Sequence, residues 1–132
     1  MKRFCLLWAL IFQLNLSTLV FAQQSARFMS LISEMPLMPG LVEVEDTAVI
    51  FDGPSGRIIE VMAIGEVHID AIRSFYATAL PQLGWVLLRN GNYRQDAEIL
   101  QLDFISDPSG STKAGVRFVL HPLNSNKVGT VR

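Results

Sequence analysis

The stretch IDAIRSFYATALPQLGW, residues 69–85, decides the fold. Its apolar side chains recur at spacings of three and four, which places them on one side of a helix. They are Ile69, Ile72, Phe75, Tyr76, Ala79, Leu80 and Leu83. Asp70 lies in the first turn, where the helix dipole favours an acid, and Pro81 predicts a bend in the last turn. Gly84 suits the left-handed position that ends a helix, and Trp85 can then fold back onto the apolar side.

The chain after this helix predicts strands. Residues 98–105 and 113–121 alternate apolar and polar side chains, a pattern typical of a sheet that is covered on one face and wet on the other. The predicted inward positions are Leu100, Leu102, Phe104, Val116, Phe118 and Leu120. Asn90-Gly91 is the strongest short hairpin signal, and it predicts a strand that returns over residues 92–95. Asp96-Ala97 predicts a second tight turn.

A hairpin is predicted before the helix. Residues 49–51 form a short apolar run, residues 52–56 are dense in turn formers, and residues 57–64 are rich in β-branched side chains. Gly65 ends this second strand. The predicted fold class is therefore α+β, with one amphipathic helix packed on an antiparallel sheet in the order ββαβββ.

The first 22 residues resemble a cleavable export signal. A positive start at Lys2 and Arg3 is followed by an apolar run and then by Ala22, a small residue that suits the cut. A membrane anchor is the alternative, but the run includes Gln13 and Asn15. We expect a signal peptide at 1–22, an N-terminal arm at 23–41, an α+β domain at 42–123 and a C-terminal tail at 124–132. The predicted location is the periplasm, with no stable membrane span after cleavage.

The arm contains two prolines that interrupt regular structure. Its first part predicts a short helix that stops near Met35, and residues 35–41 predict an extended segment because Pro36 and Pro39 lack the backbone N–H. Met35 and Met38 either cap the core or form an adaptable partner-binding segment.

Charge is distributed unevenly along the chain. Removal of Lys2 and Arg3 with the signal leaves 9 basic against 12 acidic residues, a net charge of −3. Eight of the acids fall in residues 30–70, with Arg57 as the only base of that stretch. The two halves either attract each other within one fold or form a two-faced surface that selects a charged partner. Because no basic cluster is present, we expect no nucleic-acid binding.

Two motifs carry a family resemblance. The first reads FDGPSGRI at residues 51–58, and the second combines Phe75-Tyr76 with LPQLGW at residues 80–85. Together they resemble a family of small uncharacterised exported proteins of alphaproteobacteria. The resemblance implies a Gram-negative periplasmic address and transfers no catalytic residue. The sequence departs from the family pattern at His68, where Ser or Thr would cap the helix.

Candidate reactive residues are few. His68 and His121 are 53 positions apart and have no cysteine in the mature chain to complete a metal site, so surface histidines are the simpler interpretation. Ser55 lies in a turn between strands, without the spacing of a nucleophile elbow. The acidic run at residues 43–46 fits a solvated loop, although paired carboxylates can bind a hard cation or transfer protons. We expect no catalytic residues, no metal and no cofactor.

A docking role has better candidates. Asp52 and Arg57 flank the first hairpin turn, where they form either a simple ion pair or a docking point. Tyr93 lies in a short strand between two turns and is the aromatic side chain expected to be exposed. With Met35 and Met38, these residues suggest a non-enzymatic accessory module that docks on an envelope protein. A domain that binds a small apolar ligand or lipid between helix and sheet, and a hydrolase with an unrecognised site, are the alternatives. The sequence does not indicate the oligomeric state.

Overall fold

The computed structural model describes residues 27–107 and 113–123. Within these ranges the chain is α+β, with one helix packed on a six-stranded antiparallel sheet and a separate pair of very short strands. The elements are β1 (Arg27–Phe28), β2 (Pro36–Leu37), β3 (Leu41–Gly53), β4 (Gly56–Gly65), α1 (Ile69–Gln82), β5 (Val86–Leu87), β6 (Tyr93–Gln95), β7 (Glu98–Ser106) and β8 (Ala114–Pro122). The large sheet has the order β3-β4-β8-β7-β6-β5, so the last strand lies at its centre.

The predicted order ββαβββ is wrong by one strand, because four strands follow the helix in the large sheet. Both tight turns that the sequence predicts between residues 90 and 97 are present, and each reverses the chain. Gly91 has a φ of 86° in the first, and Asp96 has a φ of 48° in the second. The short strands β5 and β6 are the consequence, and they form the far edge of the sheet.

The first strand is longer than the sequence predicts. β3 begins at Leu41 and not at Val49, so the acidic run at residues 43–46 belongs to a strand and not to a loop before it. The pairing register with β4 shifts between Val44 and Val49, where the hydroxyl of Thr47 donates a hydrogen bond of 2.7 Å to the carbonyl of Val44. This irregularity accommodates a polar segment inside the strand.

The helix follows the prediction closely. It begins after His68, whose side chain makes no capping hydrogen bond, and it ends at Gln82 with Pro81 in its last turn. Gly84 has a φ of 91°, and the N–H of Trp85 donates to the carbonyl of Leu80 at 3.0 Å. The left-handed glycine therefore closes the helix and turns Trp85, which is buried, back toward the core.

The core lies between α1 and one face of the sheet. Ile72, Tyr76 and Leu80 are fully buried on the helix, and the predicted inward positions Val116 and Phe118 are fully buried on β8. The Tyr76 and Phe118 rings meet edge to face at 5.2 Å between centroids. The six-strand layer thus covers the apolar side of the helix, as its periodicity predicts.

The arm closes the core at one end. The helix predicted between Phe28 and Met35 is absent; β1 pairs with β2, and Glu34 reverses the chain with a φ of 67°. The predicted irregular segment at 35–41 includes β2, where Pro36 is tolerated in a two-stranded pair because it needs no N–H partner there. Among its described residues, the buried side chains of the arm are Met29, Ile32, Met35, Leu37 and Leu41. The predicted signal at 1–22 and the predicted tail at 124–132 lie outside the described residues.

Candidate functional site

The sheet face opposite the helix is apolar over much of its area. Alternation along the paired strands places Val42, Val44, Val49 and Phe51 of β3 on this face, together with Ile64 of β4 and Ile105 of β7. We call it the open face. Phe51 is 61 % exposed and Ile64 is 47 % exposed. The outer face is therefore open to solvent, as the alternation predicts, but it is more apolar than the outward residues of 98–105 and 113–121 indicate.

A polar cluster lies at the centre of the open face. Arg117 on β8 donates to Asp103 on β7 through Nη2 at 2.7 Å and through Nε at 3.1 Å. Its Nη1 lies 3.4 Å from Glu60 Oε1 on β4, and the amide of Gln101 donates to Asp103 at 2.9 Å. The three charged groups largely satisfy one another across three neighbouring strands, whose relative positions are set by backbone pairing.

The same contacts shift two pKa values. The Gln101 amide, and then the Arg117 guanidinium, hold the pKa of the Asp103 carboxyl below its usual value, against the opposing effect of burial. The hydrogen bond and charge of Asp103, with the charge of Glu60, raise the pKa of Arg117. Asp103 is therefore a stably charged acceptor, and the arrangement favours structural support over proton transfer.

A hollow of about 410 Å³ opens on the open face beside this cluster. Its lining includes Gly115, and its apolar walls are formed by Met62, Ile64 and Ile105. A Cβ at position 115 would lie 3.0 Å from Ile64 Cγ2, so the missing side chain creates part of the space. The charged residues of its lining are Glu66, Asp107 and Lys113. These walls suit an apolar group with a polar neighbour.

A second cleft, of about 340 Å³, lies on the helix side at the opposite end of β4. Its lining includes Ile32 of the arm and Trp85 after the helix, with Glu34, Arg57 and Glu98 as its charged residues. The cleft lies beside the helix end and not beneath the helix, where Tyr76 and Leu80 are fully buried.

The predicted docking residues do not form one exposed surface. Asp52 and Arg57 face each other across the hairpin, with Arg57 Nε 3.1 Å from Asp52 Oδ1, which confirms the predicted ion pair. Tyr93 is 8 % exposed, so the expectation that it is exposed is wrong. Met35 is 1 % exposed and Met38 is half-buried, which agrees with a role in capping the core.

The residues weighed for catalysis are scattered. His68 precedes the helix, and His121 lies on β8 opposite Ile99, with its Nδ1 3.0 Å from the carbonyl of Pro122. Ser55 lies in the turn between β3 and β4. Across residues 27–107 and 113–123, no three His, Cys, Asp or Glu side chains are grouped closely enough to hold a metal ion.

Comparison with protein-family models, with curated proteins and with solved structures finds no match. No helix in the described part of the chain is long and apolar enough to cross a membrane. The open face is the candidate site that the sequence reasoning missed. Its signal was present in β4, where Ile58, Met62 and Ile64 make the outward positions nearly as apolar as the inward ones.

Proposed function

We propose that this protein is a non-enzymatic accessory module that docks onto an envelope protein through its open face. The main support for this proposal is the exposed apolar surface around the hollow at Gly115. Contiguous apolar surface rimmed by polar groups marks interaction sites, because its exposure to water is unfavourable. Specific interfaces place an apolar anchor in such a hollow and surround it with weaker contacts.

The polar cluster supports docking in a second way. Arg117 pairs with Asp103 and Glu60 on the two neighbouring strands, and continuous backbone pairing of β4, β8 and β7 gives the walls of the hollow a fixed platform. A partner that meets a fixed surface loses less conformational entropy on binding than one that must order it. The site is therefore suited to recognition without chemistry.

Location in the periplasm is part of the same proposal. It is supported by the signal-like residues 1–22 and by the two motifs that resemble exported proteins of alphaproteobacteria. The motif FDGPSGRI forms the β3–β4 hairpin tip, where Phe51 is exposed beside the Asp52–Arg57 ion pair. This placement is consistent with an interaction role for the motif.

Capture from envelope extract tests the docking role. The variants Ile64→Glu and Ile105→Glu each place a charge in the hollow, and both residues are exposed enough that folding should be preserved. Leu87→Glu is the matched control, because Leu87 is equally apolar and 59 % exposed but lies on β5 at the other edge. We expect the wild type and the control to retain the same envelope protein, and the two hollow variants to lose it.

Two results would overturn the docking role. One is equal capture by the hollow variants and the control. The other is the absence of any captured protein above background, at low and at moderate salt, for the wild type itself.

A small apolar ligand is the second candidate function, and the hollow also favours it. A volume of about 410 Å³ falls within the range of small-molecule pockets, about 300–1,000 Å³. Native mass spectrometry of the purified protein distinguishes the two. A co-purified small molecule that is lost in Ile105→Glu supports a ligand site, whereas an unloaded protein that still captures an envelope protein supports docking.

A further inference from the structure

The edge strand β3 offers backbone groups for pairing with another chain. It runs for 13 residues, Leu41–Gly53, and it pairs only with β4 among the described residues. Most strands are 3–10 residues long, and proteins usually shorten or cover such an edge. Alternate N–H and C=O groups of an edge strand point away from its single partner and can accept an added strand.

The second half of β3 is accessible on both faces as well as along its edge. Val49, Ile50 and Phe51 are consecutive in sequence, and each is about half exposed or more. Ile50 pairs with Ile59 on the helix side, whereas Phe51 pairs with Ile58 on the open face. An added strand would therefore cover apolar side chains of β3 on both sides of the sheet, with its own apolar residues on one face and the stems of its basic residues on the other.

The acids of β3 indicate the charge expected of the added strand. Glu45 and Asp46 are exposed and make no ion pair with another described residue. Glu43 is already occupied, since it accepts hydrogen bonds from the N–H and the hydroxyl of Ser30 at 3.0 and 2.6 Å. The two unpaired carboxylates lie where the register with β4 shifts. These carboxylates attract a basic segment, and the electrostatic attraction is strongest when the segment lies directly alongside β3.

A second copy of this chain is a less favourable occupant than a basic segment. Pairing of two β3 strands across residues 43–46 would bring two sets of acids together. Like charges across a strand pair are unfavourable, and charged edge residues are a common protection against self-association.

We propose that β3 binds an extended segment of a partner protein, rich in Lys or Arg alternating with apolar residues, as a seventh strand of the large sheet. This inference rests on the proposed docking function and names the chemistry of its partner. The apolar residues of the added strand continue the open face beyond Phe51, and its basic residues meet Glu45 and Asp46. Backbone pairing supplies affinity, and the charges supply selection.

A capped nine-residue peptide of alternating Lys and Val is the probe. The full chain is titrated with it, and backbone amide exchange is followed by nuclear magnetic resonance. We expect slower exchange at amides within residues 45–53, and weaker binding as the salt concentration rises. Two control peptides separate the causes: one has alternate backbone amides N-methylated, and the other has Glu in place of Lys. Neither should bind measurably.

The variant Glu45→Lys tests the charge selection. Reversal of one exposed charge should weaken binding of the Lys-Val peptide by about five-fold. Glu98→Lys is the matched control, because Glu98 is an exposed acid on β7, away from the β3 edge, and its reversal should leave binding unchanged. Thermal unfolding of both variants confirms that each remains folded.

Several results would overturn the inference. Equal binding of the N-methylated peptide would show that no strand is added, and equal binding of the Glu peptide would show that charge does not select. A stable dimer in analytical ultracentrifugation, with amides within residues 45–53 protected from exchange, would assign the edge to a second copy. If envelope capture is lost in Ile64→Glu but is unchanged in Glu45→Lys and in the presence of the Lys-Val peptide, the added strand is rejected and the docking function is retained. Loss of capture itself would reject the docking function.

Discussion

The hydroxyl of Tyr76 donates a hydrogen bond of 3.0 Å to the carbonyl of Pro36. The same oxygen accepts a hydrogen bond of 3.3 Å from the N–H of Met38. One buried side chain on the helix therefore satisfies two backbone groups of the arm, 38 and 40 residues earlier in the chain. This pair of contacts holds the end of the arm against the core, from where the chain enters β3.

Tyr76→Phe should destabilise the protein by about 1–2 kcal/mol, because two partly buried backbone groups lose their partner while the ring packing is retained. The measurement is urea unfolding followed by tryptophan fluorescence. Amide exchange at Met38 should also accelerate. Tyr93→Phe is the matched control, since no described residue forms a hydrogen bond with the Tyr93 hydroxyl, and it should change stability by less than about 0.5 kcal/mol.

Stability should fall at alkaline pH through the same residue. Burial raises the pKa of Tyr76 to about 12 from an ordinary value of 10.0, with the Met38 N–H acting in the opposite direction. Below pH 10 the Tyr76 hydroxyl is protonated in both the folded and the unfolded chain. Above pH 10 the unfolded chain releases this proton, whereas the folded chain retains it up to about pH 12. The loss over this interval should approach about 2–3 kcal/mol. Urea unfolding from pH 8 to 12 should show that the higher free energy of unfolding of the wild type, relative to Tyr76→Phe, disappears as the pH rises. If the free energies of unfolding of the two proteins change with pH in parallel, this prediction is wrong.

The sequence predicted the elements whose side chains repeat with a clear period. The helix was predicted because its apolar residues recur at spacings of three and four over more than two turns. The strand β8 was predicted because Val116, Phe118 and Leu120 alternate with outward residues. The start of β3 was missed because acids at 43–46 are unfavourable in strands. Pairing with β4 overrides that local preference.

The candidate site was harder to predict for a different reason. The outward residues Met62 and Ile64 of β4 are as apolar as inward residues, and periodicity does not say which face of a strand is covered. The hollow depends on Gly115, a residue in β8 whose role appears only when Ile64 and Ile105 lie on either side of it. Tyr93 was misjudged because a three-residue strand is too short to show alternation.

Stability should also fall at acid pH through the polar cluster. Hydrogen bonding to Gln101 and pairing with Arg117 lower the pKa of Asp103, so its contribution is present above its ordinary value of 3.8 and is lost as pH decreases further. Because the pair is partly solvated, the effect should stay below about 1 kcal/mol. Urea unfolding between pH 2.5 and 7 should show a shallower acid loss for Asp103→Asn than for the wild type. Asp46→Asn, which removes an acid without a described ion-pair partner, should follow the wild type.

Gly65→Ala should be the most damaging glycine substitution, because a Cβ there would overlap the carbonyl oxygen of Gly40. Gly65 pairs with Leu41 in the sheet, so neither backbone can move without breaking the start of β3. We expect a loss of about 3 kcal/mol, measured as a lower midpoint of thermal unfolding. Gly91→Ala is the comparison: nothing lies within 4 Å of its Cβ, and its φ of 86° should cost about 1 kcal/mol by strain alone. Equal losses in the two variants would show that the close approach of Gly40 and Gly65 does not constrain the fold.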